Sequence, residues 1–130
     1  MTYQRKLYEA LASKVDARLN CQKTGNTEWF DKHTDDVERL VDEHMPSGSG
    51  VDTGTKLDWE RSTGEKLVFT TAYHHMDENG YYDGWTDHDV VVTPSLVFGM
   101  RVKITGRNRR DIKDYLGDLY REALNVIVGE

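Results

Sequence analysis

Apolar positions in the first third of the chain recur at helical spacing. Leu7, Leu11, Val15 and Leu19 share one side of residues 2–20, with Tyr8 and Ala12 beside them and Arg5, Lys6, Glu9, Lys14 and Asp16 opposite. Thr2 suits the N-cap of this helix. Lys23-Thr24-Gly25-Asn26-Thr27 reads as a turn, because Gly25 can take a positive φ at a helix end and Asn26 or Thr27 can cap the next helix. The second helix is predicted over about 28–44, with Trp29, Phe30, His33, Val37, Leu40, Val41 and His44 near one face. Two helices joined by so short a link form an antiparallel hairpin. Pro46 and the glycines of Ser47-Gly48-Ser49-Gly50 then end the helical half, and those glycines allow the backbone to approach another segment closely.

From residue 51 onward the period falls to two. Thr55 to Glu60 alternates, with Leu57 and Trp59 on one face, and Ser62-Thr63-Gly64 is a turn. Leu67, Phe69, Thr71 and Tyr73 alternate with Val68, Thr70, Ala72 and His74. Asn79-Gly80 carries the strongest short hairpin signal, and a return strand is predicted over about 81–93. A break is predicted at Pro94-Ser95, followed by a last strand in which Leu96, Phe98, Met100, Val102 and Ile104 alternate with Arg101 and Lys103. Beyond Gly106, Asn108 is a good N-cap. Ile112, Tyr115, Leu116, Leu119, Tyr120, Ala123, Leu124 and Ile127 then form the clearest amphipathic stripe in the chain.

The predicted order is α-α-β-β-β-β-α. Consecutive strands with tight turns imply a four-stranded antiparallel meander, with the N-terminal helical hairpin and the C-terminal helix on its apolar face. This is an α+β architecture, and residues 1–130 are read as one domain.

Composition refines the picture. Seventeen Lys and Arg stand against 23 Asp and Glu, a net charge of −6, which disfavours a general phosphate-binding surface and suits a basic partner. The single cysteine, Cys21, cannot form an internal disulfide and is read as structural, in a reducing compartment. No apolar run approaches the roughly 18 residues of a membrane span, and no signal peptide is read at the N-terminus. The expected location is cytoplasmic, without membrane association.

Candidate chemistry concentrates between Tyr73 and Asp89. That stretch holds three of the five histidines, five acidic residues and four of the ten Tyr and Trp residues. With Asn79-Gly80 as a two-residue turn, His74 faces Trp85, His75 faces Gly84, Met76 faces Asp83 and Thr71 faces His88. Histidine and carboxylate ligands from His74, His75, Asp83 and His88 would suit zinc, manganese or iron in a small metal- or nucleotide-dependent hydrolase. Adjacent His74 and His75 point to opposite strand faces, which works against that set. No cofactor is expected. The favoured alternative is a hairpin whose His75, Tyr81, Tyr82, Asp83 and Trp85 bind another protein, since Tyr and Trp dominate binding hot spots.

Arg107-Asn108-Arg109-Arg110, with Arg101 and Lys103, forms the basic patch of the chain and would serve a nucleic-acid contact, a role the acidic balance makes the weaker one. The glycine-rich segment 47–55 lacks the Gly-Lys-Ser/Thr ending of a P-loop. Its Asp52-Thr53-Gly54 matches the aspartic-protease tripeptide by letter, but no hydrophobic strand precedes it, and a loop is the better reading.

Met45-Pro46-Ser47-Gly48-Ser49-Gly50 through Lys56-Leu57-Asp58, His74-His75-Met76, Gly80-Tyr81-Tyr82-Asp83-Gly84-Trp85, Gly106-Arg107-Asn108-Arg109 and Asp111-Ile112-Lys113 together resemble uncharacterised small proteins encoded by tailed bacteriophages and prophages, over residues 10 to 125. The resemblance implies a bacterial cytoplasm during infection. It also implies a phage accessory protein that binds a host or phage macromolecule, for example as an inhibitor of a host defence system. It carries no catalytic residue, cofactor or fold. Sheet edges and the last helix leave a homodimer open.

Overall fold

The computed structural model describes residues 4–46, 50–51, 54–97 and 99–129. In chain order the elements are β1 (Gln4–Lys6), α1 (Leu7–Thr24), α2 (Thr27–His44), β2 (Lys56–Leu57), β3 (Leu67–Met76), β4 (Tyr82–Ser95), β5 (Gly99–Gly106), α3 (Arg110–Leu124) and β6 (Ile127–Gly129). The predicted order of three helices and a four-stranded antiparallel sheet is present, with sheet order β2-β3-β4-β5. Two three-residue strands, β1 and β6, are additional and pair with each other antiparallel.

The helical hairpin closes as its sequence demands. Gly25 ends α1 in the left-handed region at φ 76°, and its N–H is bonded to the Cys21 carbonyl. Asn26 caps α2 through Oδ1, which accepts from the Trp29 N–H at 3.2 Å. Leu7, Leu11 and Val15 of α1 meet Val37, Leu40 and Val41 of α2 in the core. Arg18 seals the open end, stacked 4.1 Å from the Phe30 ring and 4.0 Å from the Trp59 ring, with Nε donating to Thr34 Oγ1 at 2.6 Å.

One face of the sheet is apolar. Leu57, Leu67, Phe69, Val90, Val92, Met100, Val102 and Ile104 all point to it and join residues of all three helices in one cluster. A buried polar thread crosses this apolar face. Thr55 Oγ1 donates to Thr71 Oγ1 at 3.0 Å, which leaves Tyr120 Oη to donate to Thr55 Oγ1 at 2.9 Å. The opposite face carries Thr70, Asp87, Asp89, Arg101 and Lys103. There Arg61 bridges Asp89 (2.8 and 3.1 Å) and Asp58 (2.7 Å), and its hydrogen bond holds the Asp58 carboxyl below its ordinary value.

Several boundaries differ from the expectation, each for a tertiary reason. Residues 4–6 are a strand and not the first helical turn, because β6 offers them a ladder and the Val126 carbonyl takes the Leu7 N–H at 2.8 Å. Helix α3 stops at Leu124, so Ile127 belongs to β6 instead of the helical stripe. The strand expected over Thr55–Glu60 shrinks to Lys56–Leu57. Asp58 Oδ1 accepts from the Glu60 and Arg61 N–H groups and turns the chain, sending Trp59 against Arg18. Pro94 does not break β4. It lies opposite Met100 but past Val92, the last residue of β4 paired with β3, where a missing N–H removes no ladder bond on that side. Leu96 and Val97 are exposed in the β4–β5 turn and do not extend β5. Trp29, expected on the inner face of α2, is half exposed. Thr2, Phe98, residues 47–49 and the Asp52-Thr53 pair lie outside the described residues.

Candidate functional site

The hairpin β3–β4 runs from the middle of the core to an exposed tip, and its register decides what the tip displays. From Leu67↔Val92 to His74↔Trp85 the pairing is the expected one, Thr71↔His88 included. Beyond His74 it changes, and Met76 faces Tyr82. The expected pairs His75 with Gly84 and Met76 with Asp83 are therefore corrected.

Two linked features cause the change. The turn is one residue longer than Asn79-Gly80 suggested. Gly80 N–H donates to the Asp77 carbonyl (3.0 Å), Asp77 N–H donates to the Tyr81 carbonyl (2.8 Å), and only Gly80 has a positive φ, at 83°. A two-residue type I′ turn requires positive φ at both central residues, and Asn79 does not have it. Asp77 stabilises the longer loop by accepting the Asn79 and Tyr81 N–H groups on Oδ1, each at 2.9 Å. The offset is then cancelled in β4, which advances three residues from Tyr82 to Trp85 while β3 advances two. This is a β-bulge, with Gly84 at φ 87°.

Because strand side chains alternate, the bulge moves Tyr82 to the face that carries Trp85. The outer face of the tip thus gathers His74, Met76, Tyr82 and Trp85. The rings of His74 and Tyr82 lie 5.7 Å apart, and His74 Nδ1 is 3.1 Å from Tyr82 Oη. Met76 is 67% exposed, Tyr81 71%, Tyr82 60% and Trp85 62%. Asp83 is exposed at the bulge itself.

His75 stands apart from the other proposed binding residues. It points to the helix-facing side, where Nε2 is 2.7 Å from Thr86 Oγ1 and its ring meets the Tyr73 ring edge-on at 5.1 Å. The chain at Gly50 runs beside β3, close against the Tyr73 ring. A Cβ on Gly50 would stand 2.6 Å from the Tyr73 ring, and its carbonyl accepts the His74 N–H at 2.7 Å, so glycine is required there.

The histidines of the metal alternative are dispersed. His74 and His75 diverge to opposite faces, and His88 is buried nearer the base of the hairpin, with Nδ1 3.4 Å from Asn108 Nδ2. Among the described residues no group of three His, Cys, Asp or Glu side chains is placed to hold a metal ion. Burial pushes the His88 imidazole below its ordinary value, against smaller opposing effects of the Thr86 backbone and of Asp89 and Asp87. His88 Nε2 and Asn108 Oδ1 are buried without a hydrogen-bond partner among the described residues.

The basic patch is reorganised as well. Arg101 and Lys103 project from β5 and Arg110 opens α3, and these three line a groove to which α3 adds Lys113 and Arg121. Arg107 and Arg109 do not line it, and Arg109 is paired with Asp111 at 3.2 Å. Among the described residues no helix is long and apolar enough to cross a membrane.

Sequence reasoning placed Tyr81, Tyr82, Asp83 and Trp85 at the tip but left out His74 and Met76 as members of its outer face. The signal for their grouping was Gly84, an isolated glycine within a strand pattern, which marks a bulge. Comparison with protein-family models, curated proteins and solved structures finds no match to this chain.

Proposed function

We propose that this protein acts by binding another protein through the outer face of the β3–β4 tip, with Trp85 and Tyr82 as anchors and Met76, His74, Tyr81 and Asp83 around them. One observation carries the reading: four large apolar or aromatic side chains, each at least 60% exposed, crowd one hairpin tip. Leaving that surface in water forgoes about 1.5–3 kcal/mol per large side chain that burial would return. A bulge with a left-handed glycine is needed to bring Tyr82 beside Trp85, so the grouping is a built feature of the strand. Rigid aromatics flanked by a carboxylate form the anchor-and-rim pattern of protein interfaces.

In the setting implied by the phage resemblance, the partner is a host or phage protein met in the bacterial cytoplasm, and inhibition of a host defence system is the role that fits a small binding protein. The test is capture from infected-cell lysate followed by reconstitution with the purified partner. Trp85→Ala is expected to weaken the reconstituted complex by about 2 kcal/mol, roughly 30-fold, while the melting temperature falls by less than about 5 °C. Equal affinity of Trp85→Ala and the unaltered protein would remove this face from the interface.

A further inference from the structure

A second surface, on the far side of the sheet from β2, has its own chemistry. Strand β5 is the last strand of the sheet. It pairs with β4 along eight residues, and no other described segment makes a backbone hydrogen bond to it. Its open edge, from Arg101 to Ile104, forms one wall of a groove, and α3 forms the other. The α3 positions that line it are spaced as a single helical face, with Gly117 between Lys113 and Arg121.

The groove is cationic on a protein of net charge −6. Among the described residues, Arg101, Lys103, Arg110, Lys113 and Arg121 line it against only Asp114 and Asp118. Arg121 is paired with Asp118 at 3.0 Å. Arg101, Lys103, Arg110 and Lys113 form no ion pair with any described residue. Charged residues on an edge strand guard against self-association, which accounts for Arg101 and Lys103. It does not account for Arg110 and Lys113, which belong to the helix and face the same groove.

We infer that the β5 edge and the facing side of α3 form a docking groove for an extended acidic peptide segment of a partner, which adds to the sheet as a fifth strand beside β5. The strand edge supplies main-chain hydrogen bonds and the four unpaired cations supply charge complementarity. An eight-residue strand offers roughly 27 Å of edge at ~3.4 Å per residue, enough for a short linear segment. A second copy is the wrong occupant, because β5 against β5 would set Arg101 and Lys103 opposite like charges. Single-stranded nucleic acid is disfavoured by the lining, which among the described residues offers no aromatic side chain for base stacking and includes two carboxylates.

The test is fluorescence anisotropy on the full chain at low salt. The probe is a labelled peptide of alternating glutamate and valine long enough to span β5. Its comparators are the same peptide N-methylated at alternate residues and a labelled oligothymidylate. The peptide is expected to bind, the N-methylated form to lose about tenfold or more, and Lys103→Glu with Lys113→Glu to weaken the parent peptide by about tenfold or more with an unchanged circular dichroism spectrum. The N-methyl comparison uses the unaltered protein and so stands even if the charge-reversed variant fails to fold. No binding of the parent peptide overturns the inference. Equal binding of the N-methylated peptide, or tighter binding of oligothymidylate, also overturns it, since either would make the groove a simple polyanion surface.

Discussion

The two ends of the β3–β4 hairpin are built from similar side chains and meet opposite fates. At the base, Leu67, Phe69, Val90 and Val92 are wholly buried beneath the helices. At the tip, Met76, Tyr82 and Trp85 are also large and mainly apolar, yet they stand in water on the outer face. The same two strands carry both sets, so strand propensity does not separate them. Cover does. The helices lie over one face of the sheet near its base, and the bulge at Gly84 turns Tyr82 to the other face. Apolar residues at the base hold the fold together. Those at the tip stay exposed to solvent and add nothing to the core.

The largest expected effect lies at the base. Phe69→Ala removes a fully buried ring from the centre of the core and should cost about 3–5 kcal/mol, a large share of the about 5–15 kcal/mol that holds a domain of this size together. Chemical denaturation measures it. If the loss were no greater than that of Trp85→Ala, base and tip would not differ as described. Gly84→Val comes next. Among the described residues nothing lies within 4 Å of a Cβ at Gly84, so the cost is backbone strain, about 1–2 kcal/mol, borne at the tip. The bulge should shift or open, and the His74–Tyr82 ring contact should vanish from nuclear Overhauser spectra. A contact that survives would show that the bulge does not set the tip.

The smallest effect is a pH dependence at the boundary between the two regions. Burial lowers the His88 pKa in the folded chain, so the unfolded chain binds the proton more readily. Stability from this group is complete above the ordinary imidazole value of about 6.5 and is lost progressively as pH falls toward the lower folded value. His88→Gln should flatten the stability profile below about pH 6.5, compared by denaturation at a series of pH values. An unchanged profile would place the acid sensitivity elsewhere.

Much of the fold was legible because it is written in local periods. Leu7, Leu11 and Val15 are four residues apart and are buried together, and Leu67 and Phe69 alternate into the core as predicted. Gly25 and Asn26 announced the helical turn through backbone and capping chemistry that involves only near neighbours. The misses share a different character. Residues 4–6 and 127–129 are too short to show a period, and they become strands only because the two ends of the chain meet. Pro94 looked like a strand breaker because the sequence does not show that β3 has already ended beside it. The candidate site was legible as a composition, histidines and aromatics near a turn, but not as a surface.

Local periods and turn chemistry thus determine, from sequence alone, the three helices, the four-stranded sheet and the aromatic content of the hairpin tip. Only the tertiary structure decided which side chains the tip presents together and which cations share a groove. The physical reason is the two-residue period of a strand, by which a single inserted residue reverses every side chain beyond it. Whether that insertion falls in the turn, in the bulge or in both depends on hydrogen bonds between strands and on packing from distant elements. The β5–α3 groove likewise depends on tertiary structure, because Lys103 and Lys113 line one groove only when the last helix folds back beside β5.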